Sequence, residues 1–348
     1  MSARFFARLV NGAFGDPALY VRLEYQSEAL LFDCGDLHSL TPKARSQVRT
    51  LFVSHAHIDH LIGFDSLLRT LLHRDLRLRL FGPPGLVDCI EKRLGGYSWN
   101  LTDGFPLVVE VTEYAEAFGR RAEFRAGRGF LRDELPPLDQ REGWFCQTPT
   151  FGVRSVPLEH GGIISLAFAL EERLQVTIDG DALRRVGLTT GPWLTCFKQL
   201  LVTAADPATE VIAPLAAGGE ALHRLGALAA EIARIKPGAK LCYVTDVTPS
   251  EENLRRIVVL ARGADLLAIE APFLHADLHR ALLRNHLTAR LAGEVAGWSG
   301  VERLLLFHHS PRYQDRPLAL WREAEQACRA LAGQELNDET GCLSFSLC

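Results

Sequence analysis

Apolar and polar positions change period several times along the chain, and each change predicts an element. Ala29-Leu30-Leu31-Phe32-Asp33-Cys34 and Thr50-Leu51-Phe52-Val53 are short β-branched and aromatic runs, each closed by a polar or glycine-bearing turn, and read as strands. After His60 the period lengthens, with Leu61, Phe64, Leu67, Leu68, Leu71 and Leu72 at helical spacing. Arg77-Leu78-Arg79-Leu80-Phe81 alternates as a half-buried strand and stops at Gly82-Pro83-Pro84-Gly85, a turn that opens a short helix. Residues 97–150 mix glycine, arginine and proline with brief β-like runs, so a loop-rich insert is expected there. Gly152-Val153-Arg154-Ser155-Val156-Pro157-Leu158 predicts a strand ending at Glu159-His160-Gly161-Gly162, and 164–178 an antiparallel pair. An alanine- and leucine-rich helix is predicted over 219–235. Strands follow at 240–245, 265–270 and 303–307, with helices near 250–262, 275–296 and 316–331. Strands in both halves, each with helices packed outside, predict an α/β fold of one domain over 1–348, its two central sheets lying between helical layers.

A length of 348 residues is long for one core and short for two ordinary domains, so size does not alter that picture. Hydrophobic content of 47% and charged content of 23% are those of a soluble globular protein. No apolar run reaches the length of a signal peptide or a membrane span, which predicts a cytoplasmic protein with no membrane partner. The eight cysteines form no C-x-x-C pair, and Cys34 and Cys242 fall inside strands, as expected of free thiols in a reducing compartment. A net charge of −4 argues against wholesale electrostatic capture of nucleic acid but leaves room for local patches. Two candidates are Arg120-Arg121 with Arg125 and Arg128, and Arg184-Arg185 with Lys198; each reads first as a solvated face.

The candidate chemistry starts at residues 55–60, His55-Ala56-His57-Ile58-Asp59-His60, four metal-ligating side chains in six positions directly after an apolar strand. Polar residues close four other strands: Asp33, His160, Asp246 and His308. Strand ends on one rim of a sheet converge, so residues far apart in sequence can share a site. Zinc favours imidazole and carboxylate ligands, about four or five per ion. His55 and His57, two apart on an extended segment, can bind one ion with His160, and Asp59 and His60 a second with His308. Asp246 can bridge them. Two ions roughly 3.5–4 Å apart would activate a shared water or hydroxide for attack at phosphorus or carbon. Asp33 is assigned to orient a ligand histidine through its other ring nitrogen. Iron or manganese fits the same donors.

With these residues in place, the chain resembles the metallo-β-lactamase-fold hydrolases, and within them ribonuclease Z, the tRNA 3′-processing endonucleases. The resemblance runs nearly end to end. It rests on Leu31-Phe32-Asp33-Cys34-Gly35, on Ser54 to Gly63 with its H-x-H-x-D-H motif continuing into Leu67-Leu68, and on Phe81-Gly82-Pro83-Pro84-Gly85-Leu86. His160, Asp246 and the segment Leu304 to Tyr313 complete it. The first motif marks the superfamily; the H-x-S-x-R-Y ending of His308 to Tyr313 is narrower and points to the ribonuclease Z branch. The resemblance implies a four-layer αββα sandwich, and the two-zinc ligand roles above, with a metal-bound hydroxide attacking phosphorus. It also implies Asp59 as proton acceptor, Arg312 on the scissile phosphate, a tRNA precursor as substrate and a homodimer.

The resemblance also has gaps. The family's His-Glu-Ala-Thr motif is here Ile269-Glu270-Ala271-Pro272, and isoleucine cannot transfer a proton, a loss that costs about 10²–10⁴-fold in rate if nothing replaces it. His286, within Asn285-His286-Leu287-Thr288-Ala289, matches a histidine the family often has and is the candidate acid; His275, His279 and His309 are further candidates. The N-terminal glycine-rich loop is abbreviated to Asn11-Gly12-Ala13-Phe14-Gly15-Asp16-Pro17. Where tRNA-processing members extend an arm towards the tRNA elbow, this chain has a stretch near 183–200 that reads as a packed surface loop or a short arm. Two alternatives therefore stand beside the phosphodiesterase reading: a same-fold hydrolase of a small cyclic phosphodiester, lactone or thioester, and a metal-binding protein without turnover. None of the seven expected ligands is missing, which ranks the last reading lowest.

Overall fold

A computed structural model describes residues 5–23, 26–140, 143–331 and 345–347, so the expected domain over 1–348 extends beyond the described residues. The first half builds an eight-stranded sheet in chain order: β1 (Phe5–Leu9), β2 (Leu19–Leu23), β3 (Ala29–Phe32), β4 (Val48–Phe52), β5 (Arg77–Gly82), β6 (Val108–Glu113), β7 (Phe118–Arg125) and β8 (Arg132–Asp139). Strands β3 to β6 run parallel and the flanking pairs antiparallel. A second sheet draws on β9 (Trp144–Gln147), β10 (Phe151–His160) and β11 (Ile163–Glu172). The chain then passes through β12 (Leu174–Ile178), β13 (Glu210–Pro214), β14 (Glu220–Arg224) and β15 (Ala233–Pro237), which form two separate ribbons. It returns with β16 (Lys240–Val244), β17 (Leu266–Glu270) and β18 (Leu304–Phe307), giving the order β18-β17-β16-β11-β10-β9.

Three packed cores separate four layers. Between the sheets lie Phe32, Phe52 and Phe81 from one side and Phe145, Phe168, Tyr243 and Phe307 from the other. Phe168 sits 5.8 Å from Phe32 and 5.5 Å from Phe52, ring centre to ring centre. The helices Phe64–Leu71 and Leu86–Gly95 cover the outer face of the first sheet through Leu67, Leu71, Val87 and Ile90. The helices Glu251–Ala261, Ala289–Ser299 and Leu318–Leu331 cover the second through Leu254, Ile257, Leu291, Val295 and Leu320. Alternation along each strand, one face inward and the next outward, makes this layering possible. No helix among the described residues is long and apolar enough to cross a membrane.

Four elements differ from the sequence expectation. The stretch 97–150, expected to be loop-rich, supplies β6, β7, β8 and β9. Its strands read as polar because their stabilising side chains are charged: Arg77 bonds Glu110 at 2.7 Å and Glu123 at 3.0 Å, and Arg121 bonds Glu110 at 2.6 Å. β8 lies at the sheet edge, where Pro136 and Pro137 are tolerated. The pair expected within 164–178 is not formed: β11 pairs with β10 and β16, and β12 pairs with β15. The helix expected over 219–235 is confined to Leu225–Ile232. Gly218 and Gly219 take left-handed φ angles of 92° and 86° and turn the chain into a hairpin before it. The helix expected over 275–296 breaks at Asn285, whose φ of 57° ends the helix Leu278–Arg284; a new helix begins at Ala289, capped by Thr288.

The stretch near 183–200 belongs to a larger module, residues 174–237, with its own core of Leu183, Leu188, Phe197, Val211, Leu225 and Ile232. The Arg120–Arg128 patch is a solvated face: Arg120 meets Asp88, Arg121 meets Glu110, Arg125 meets Glu123 and Arg128 meets Asp133.

Candidate metal centre and adjoining cleft

Each of the seven candidate ligands lies at or just past the C-terminal end of a strand. β4 leads through Val53 and Ser54 into the loop 55–60; His160 ends β10; Asp246 lies two residues past β16; His308 follows β18. β10, β16, β17 and β18 point the same way, because β10 and β16 are each antiparallel to β11 while β16, β17 and β18 are parallel. Asp33, Asp246 and His308 have φ of 55°, 48° and 58°, a region in which non-glycine residues are uncommon but Asp and His are enriched. Each of these left-handed residues turns the chain just past the end of its strand. Such conformations cost about 1–3 kcal/mol and persist where surrounding structure enforces them.

The loop 55–60 is held against the loop after β3. Cys34 N–H donates to the His60 carbonyl at 2.8 Å and Gly63 N–H to the Cys34 carbonyl at 2.9 Å. A Cβ on Gly63 would lie 2.1 Å from the Gly35 carbonyl oxygen, so only glycine permits this approach. The loop is also tied to the opposite sheet, where Leu166 N–H donates to the Ser54 carbonyl at 2.9 Å.

Two groups of ligating atoms result. Atoms of His55, His57, His160 and Asp246 all lie within 4.8 Å of one another, and so do atoms of Asp59, His60 and His308. Asp246 stands between the groups: its Oδ2 is 3.5 Å from His55 Nε2, 3.5 Å from His60 Nε2 and 3.6 Å from His160 Nε2. Asp59 Oδ2 is 3.5 Å from both His60 Nε2 and His308 Nε2. His308 Nδ1 comes within 3.0 Å of Asp246 Oδ1 but out of hydrogen-bond alignment. His55 Nε2, His60 Nε2 and His308 Nδ1 are buried with no hydrogen-bond partner. Orphaned buried polar atoms cost about 1–3 kcal/mol each, so three aimed at shared carboxylates fit a divalent cation. Nitrogen and oxygen donors of this kind suit zinc, and equally iron or manganese.

Three of the second ring nitrogens are engaged. His60 Nδ1 lies 2.8 Å from Asp33 Oδ2, His55 Nδ1 3.0 Å from Ser54 Oγ, and His160 Nδ1 3.0 Å from the Asn285 carbonyl. These contacts set each ring with Nε2 facing the centre. Asp33, fully buried, also accepts from Ser54 N–H at 2.7 Å, Ser54 Oγ at 2.8 Å and the Tyr243 hydroxyl at 2.8 Å. Burial, with the charge of His60, pushes the His55 imidazole down to about 2, which keeps it in the neutral, metal-binding form. Burial pushes the Asp59 carboxyl up, but the adjacent imidazoles of His308 and His60 outweigh it and hold the group well below the carboxylate range.

Sequence reasoning missed Glu270. It is fully buried at the end of β17, accepts from Val247 N–H at 3.2 Å and Leu287 N–H at 3.0 Å, and lies 2.8 Å from His286 Nδ1. Its carboxylate, with atoms of Asp246, His286 and His308, forms a third group within 4.8 Å. The signal was available, since Glu270 is a polar residue closing a strand like Asp33 and His308. Burial pushes Glu270 up and the charge of His286 outweighs it, leaving it at about 2; burial lowers His286 and Glu270 outweighs that, raising it. Ile269, by contrast, faces the helical layer, packed in the outer core between Val244 and Leu306. The isoleucine is therefore a packing residue, and its presence removes nothing from the cleft.

Of the other candidate histidines, His275 bonds Thr288 Oγ1 at 3.1 Å outside this cluster, and His279 is exposed. His309 is buried with Nδ1 on the Ala271 carbonyl at 2.9 Å. A cavity of about 560 Å³ opens beside the centre, lined among others by Asp59, His308, His286, Phe14, Arg280 and Arg312. Arg312 Nη1 lies 3.4 Å from Asp277 Oδ1 at its rim.

No family model matches the chain. The ribonuclease Z of Deinococcus radiodurans is 32% identical over 312 residues, which cover 87% of this chain and 87% of the relative. That of Synechococcus sp. (strain WH7803) is 29% identical over 303 residues, 85% of this chain and 80% of the relative. Among solved structures, the metallo-β-lactamase fold protein YhfI from Bacillus subtilis is similar with a TM-score of 0.51, covering 96% of each chain at 13% identity. That likeness carries the architecture: two facing sheets between helical layers are the metallo-β-lactamase fold.

Proposed function

The chain belongs to the ribonuclease Z family and is a metal-dependent hydrolase, and from that membership we propose that it is an endonuclease acting at the 3′ end of tRNA precursors through a two-zinc centre. The observation that carries the metal reading is the convergence of the unpartnered nitrogens of His55, His60 and His308 on Asp246 and Asp59. In this reading His55, His57 and His160 would hold one ion and Asp59, His60 and His308 the other, with Asp246 available to both. Bound there, the ions would lower the pKa of water at the site and polarise the phosphoryl oxygens.

The side chains around the centre do the rest. Asp59, held ionised, takes the proton from the attacking water. His286, fixed by Glu270, whose charge raises its pKa, donates a proton to the leaving oxygen. Arg312, at the cavity rim, contacts the non-bridging oxygens of the scissile phosphate with its planar guanidinium. With Ile269 in the outer core and His286 in the cluster, the acid depends on the motif's retained Glu270 and not on its altered first position.

The test is to incubate zinc-supplemented protein with a 3′-extended tRNA precursor and, separately, with bis(p-nitrophenyl) phosphate. Trimming of the precursor, lost on chelation and restored by zinc, is expected. Hydrolysis of the chromogenic ester without trimming overturns the tRNA reading in favour of a small-diester hydrolase. Full activity in His60→Ala or Asp246→Ala overturns the metal centre. Zinc titration followed by thermal unfolding gives a readout without turnover: the ion should raise the midpoint of the parent chain and not of His60→Ala.

A further inference from the structure

Three arginines line the cavity beside the metal centre, more than contact with one phosphate requires. Arg280 and Arg284 stand one turn apart on the helix Leu278–Arg284, both exposed and both lining the cavity, with Leu283 between them. Residues at this spacing share a helix face, about 5–6 Å apart at Cβ. Arg312 lines the same cavity. Asp277 is the acidic group set among them, its Oδ1 3.4 Å from both Arg280 Nε and Arg312 Nη1, and it also accepts from the Tyr313 hydroxyl. No ion pair to Arg284 is present among the described residues. Three guanidiniums gather on this side of the cavity around the single carboxylate of Asp277, on a chain whose net charge is −4, and Asp16 and Asp59 line the cavity as well.

An aromatic ring completes the cavity lining. Phe14, half-buried on the loop 11–17, meets the His309 ring edge-on at 5.2 Å and 74°. His309 N–H donates to the Ala13 carbonyl at 2.8 Å, which fixes the loop and with it the ring. Guanidiniums tracking a backbone beside an aromatic face are the elements by which proteins hold single-stranded nucleic acid. A small cyclic diester offers one phosphate and has no use for the second and third cations.

We propose that Phe14, Arg280 and Arg284 form a subsite for an unpaired RNA nucleotide flanking the scissile phosphodiester, with Phe14 stacking on the base and the two arginines holding the adjoining phosphates. The subsite rests on the nuclease reading above, which it deepens by assigning the recognition of the strand next to the cut.

The test reads binding rather than cleavage, so it stands apart from the activity assay. Zinc-loaded full-length protein is titrated with a fluorescently labelled single-stranded oligoribonucleotide at several salt concentrations, and the strand is checked to be intact afterwards. Each phosphate contact on a single strand contributes about 0.7 to the slope of log affinity against log salt. Arg280→Ala with Arg284→Ala should therefore reduce the slope by about 1.4. Phe14→Leu should weaken binding about tenfold with the slope unchanged, as loss of one stacked base does. Arg255→Ala, an exposed arginine on the helix Glu251–Ala261, serves as the control. An unchanged slope in the double variant, or full affinity in Phe14→Leu, overturns the subsite even if the precursor is cut.

Discussion

Glu270 and His286 are 16 residues apart in sequence and joined by a 2.8 Å contact between carboxylate and ring nitrogen, with the carboxylate wholly buried. The pair ties the end of β17 to the turn between two helices, and it fixes the histidine on the wall of the cavity beside the metal centre. Replacing Glu270 with glutamine keeps the shape and removes the charge that raises the pKa of His286. We expect kcat on a phosphodiester to fall by about 10²-fold, the lower end of the range for a lost general acid, with KM little changed. Steady-state kinetics measures this, and zinc content near that of the parent separates the effect from loss of metal.

Asp33 receives four hydrogen-bonding groups, one of them the Nδ1 of His60. Asparagine tolerates the left-handed backbone found there, so Asp33→Asn tests the charge alone. Loss of such a supporting contact typically costs about 10–100-fold in metal affinity. Competition with a chromophoric chelator should show that drop, and unchanged affinity would remove Asp33 from the ligand-orienting role.

Gly63→Ala places a methyl group 2.1 Å from the Gly35 carbonyl oxygen, against backbone that cannot move alone. Overpacking of this kind costs about 1–3 kcal/mol. The chemical-denaturation midpoint should fall accordingly, and zinc affinity with it, because the same loop carries Asp59 and His60.

Glu123 is buried on β7 between Arg77 and Arg125. Burial pushes its carboxyl up, but the hydrogen bonds from the two arginines outweigh it and hold it below its usual 4.5. A carboxyl with a depressed folded-state pKa stabilises the fold above the unfolded value, and that contribution is lost as pH falls through the folded one. Glu123→Gln should therefore be less stable than the parent at neutral pH, and the gap should close as the pH falls below about 4.5. Denaturation curves across that range give the answer; a gap independent of pH would mean the ion pairs contribute nothing.

The convergence of the candidate ligands was legible because they close strands whose apolar runs are unmistakable: Phe52 before residues 55–60, Phe307 before His308. The layers were legible for the same reason. What escaped depends on relations between distant segments. Nothing local to Ile269-Glu270 shows which of the two faces the cleft; the alternation along β17 decides, and its phase is set by Ala268 packing between the sheets. The helix break that presents His286 depends on one left-handed residue, Asn285, inside an otherwise helical run. β7 and β8 were hidden because arginine–glutamate pairs, not apolar alternation, line their exposed face.

His55, His57, Asp59 and His60 hang from the first sheet, and His160, Asp246 and His308 from the second. Neither half of the chain holds the full ligand set, so a truncated or half-folded product has only part of a centre. The packed aromatic rings between the sheets set the spacing of the two half-sites, so any repacking of Phe32, Phe168 or Tyr243 is also an adjustment of the gap between them. In this chain the interior works as a jig for its own candidate centre, whose gap is only as exact as the packing behind it.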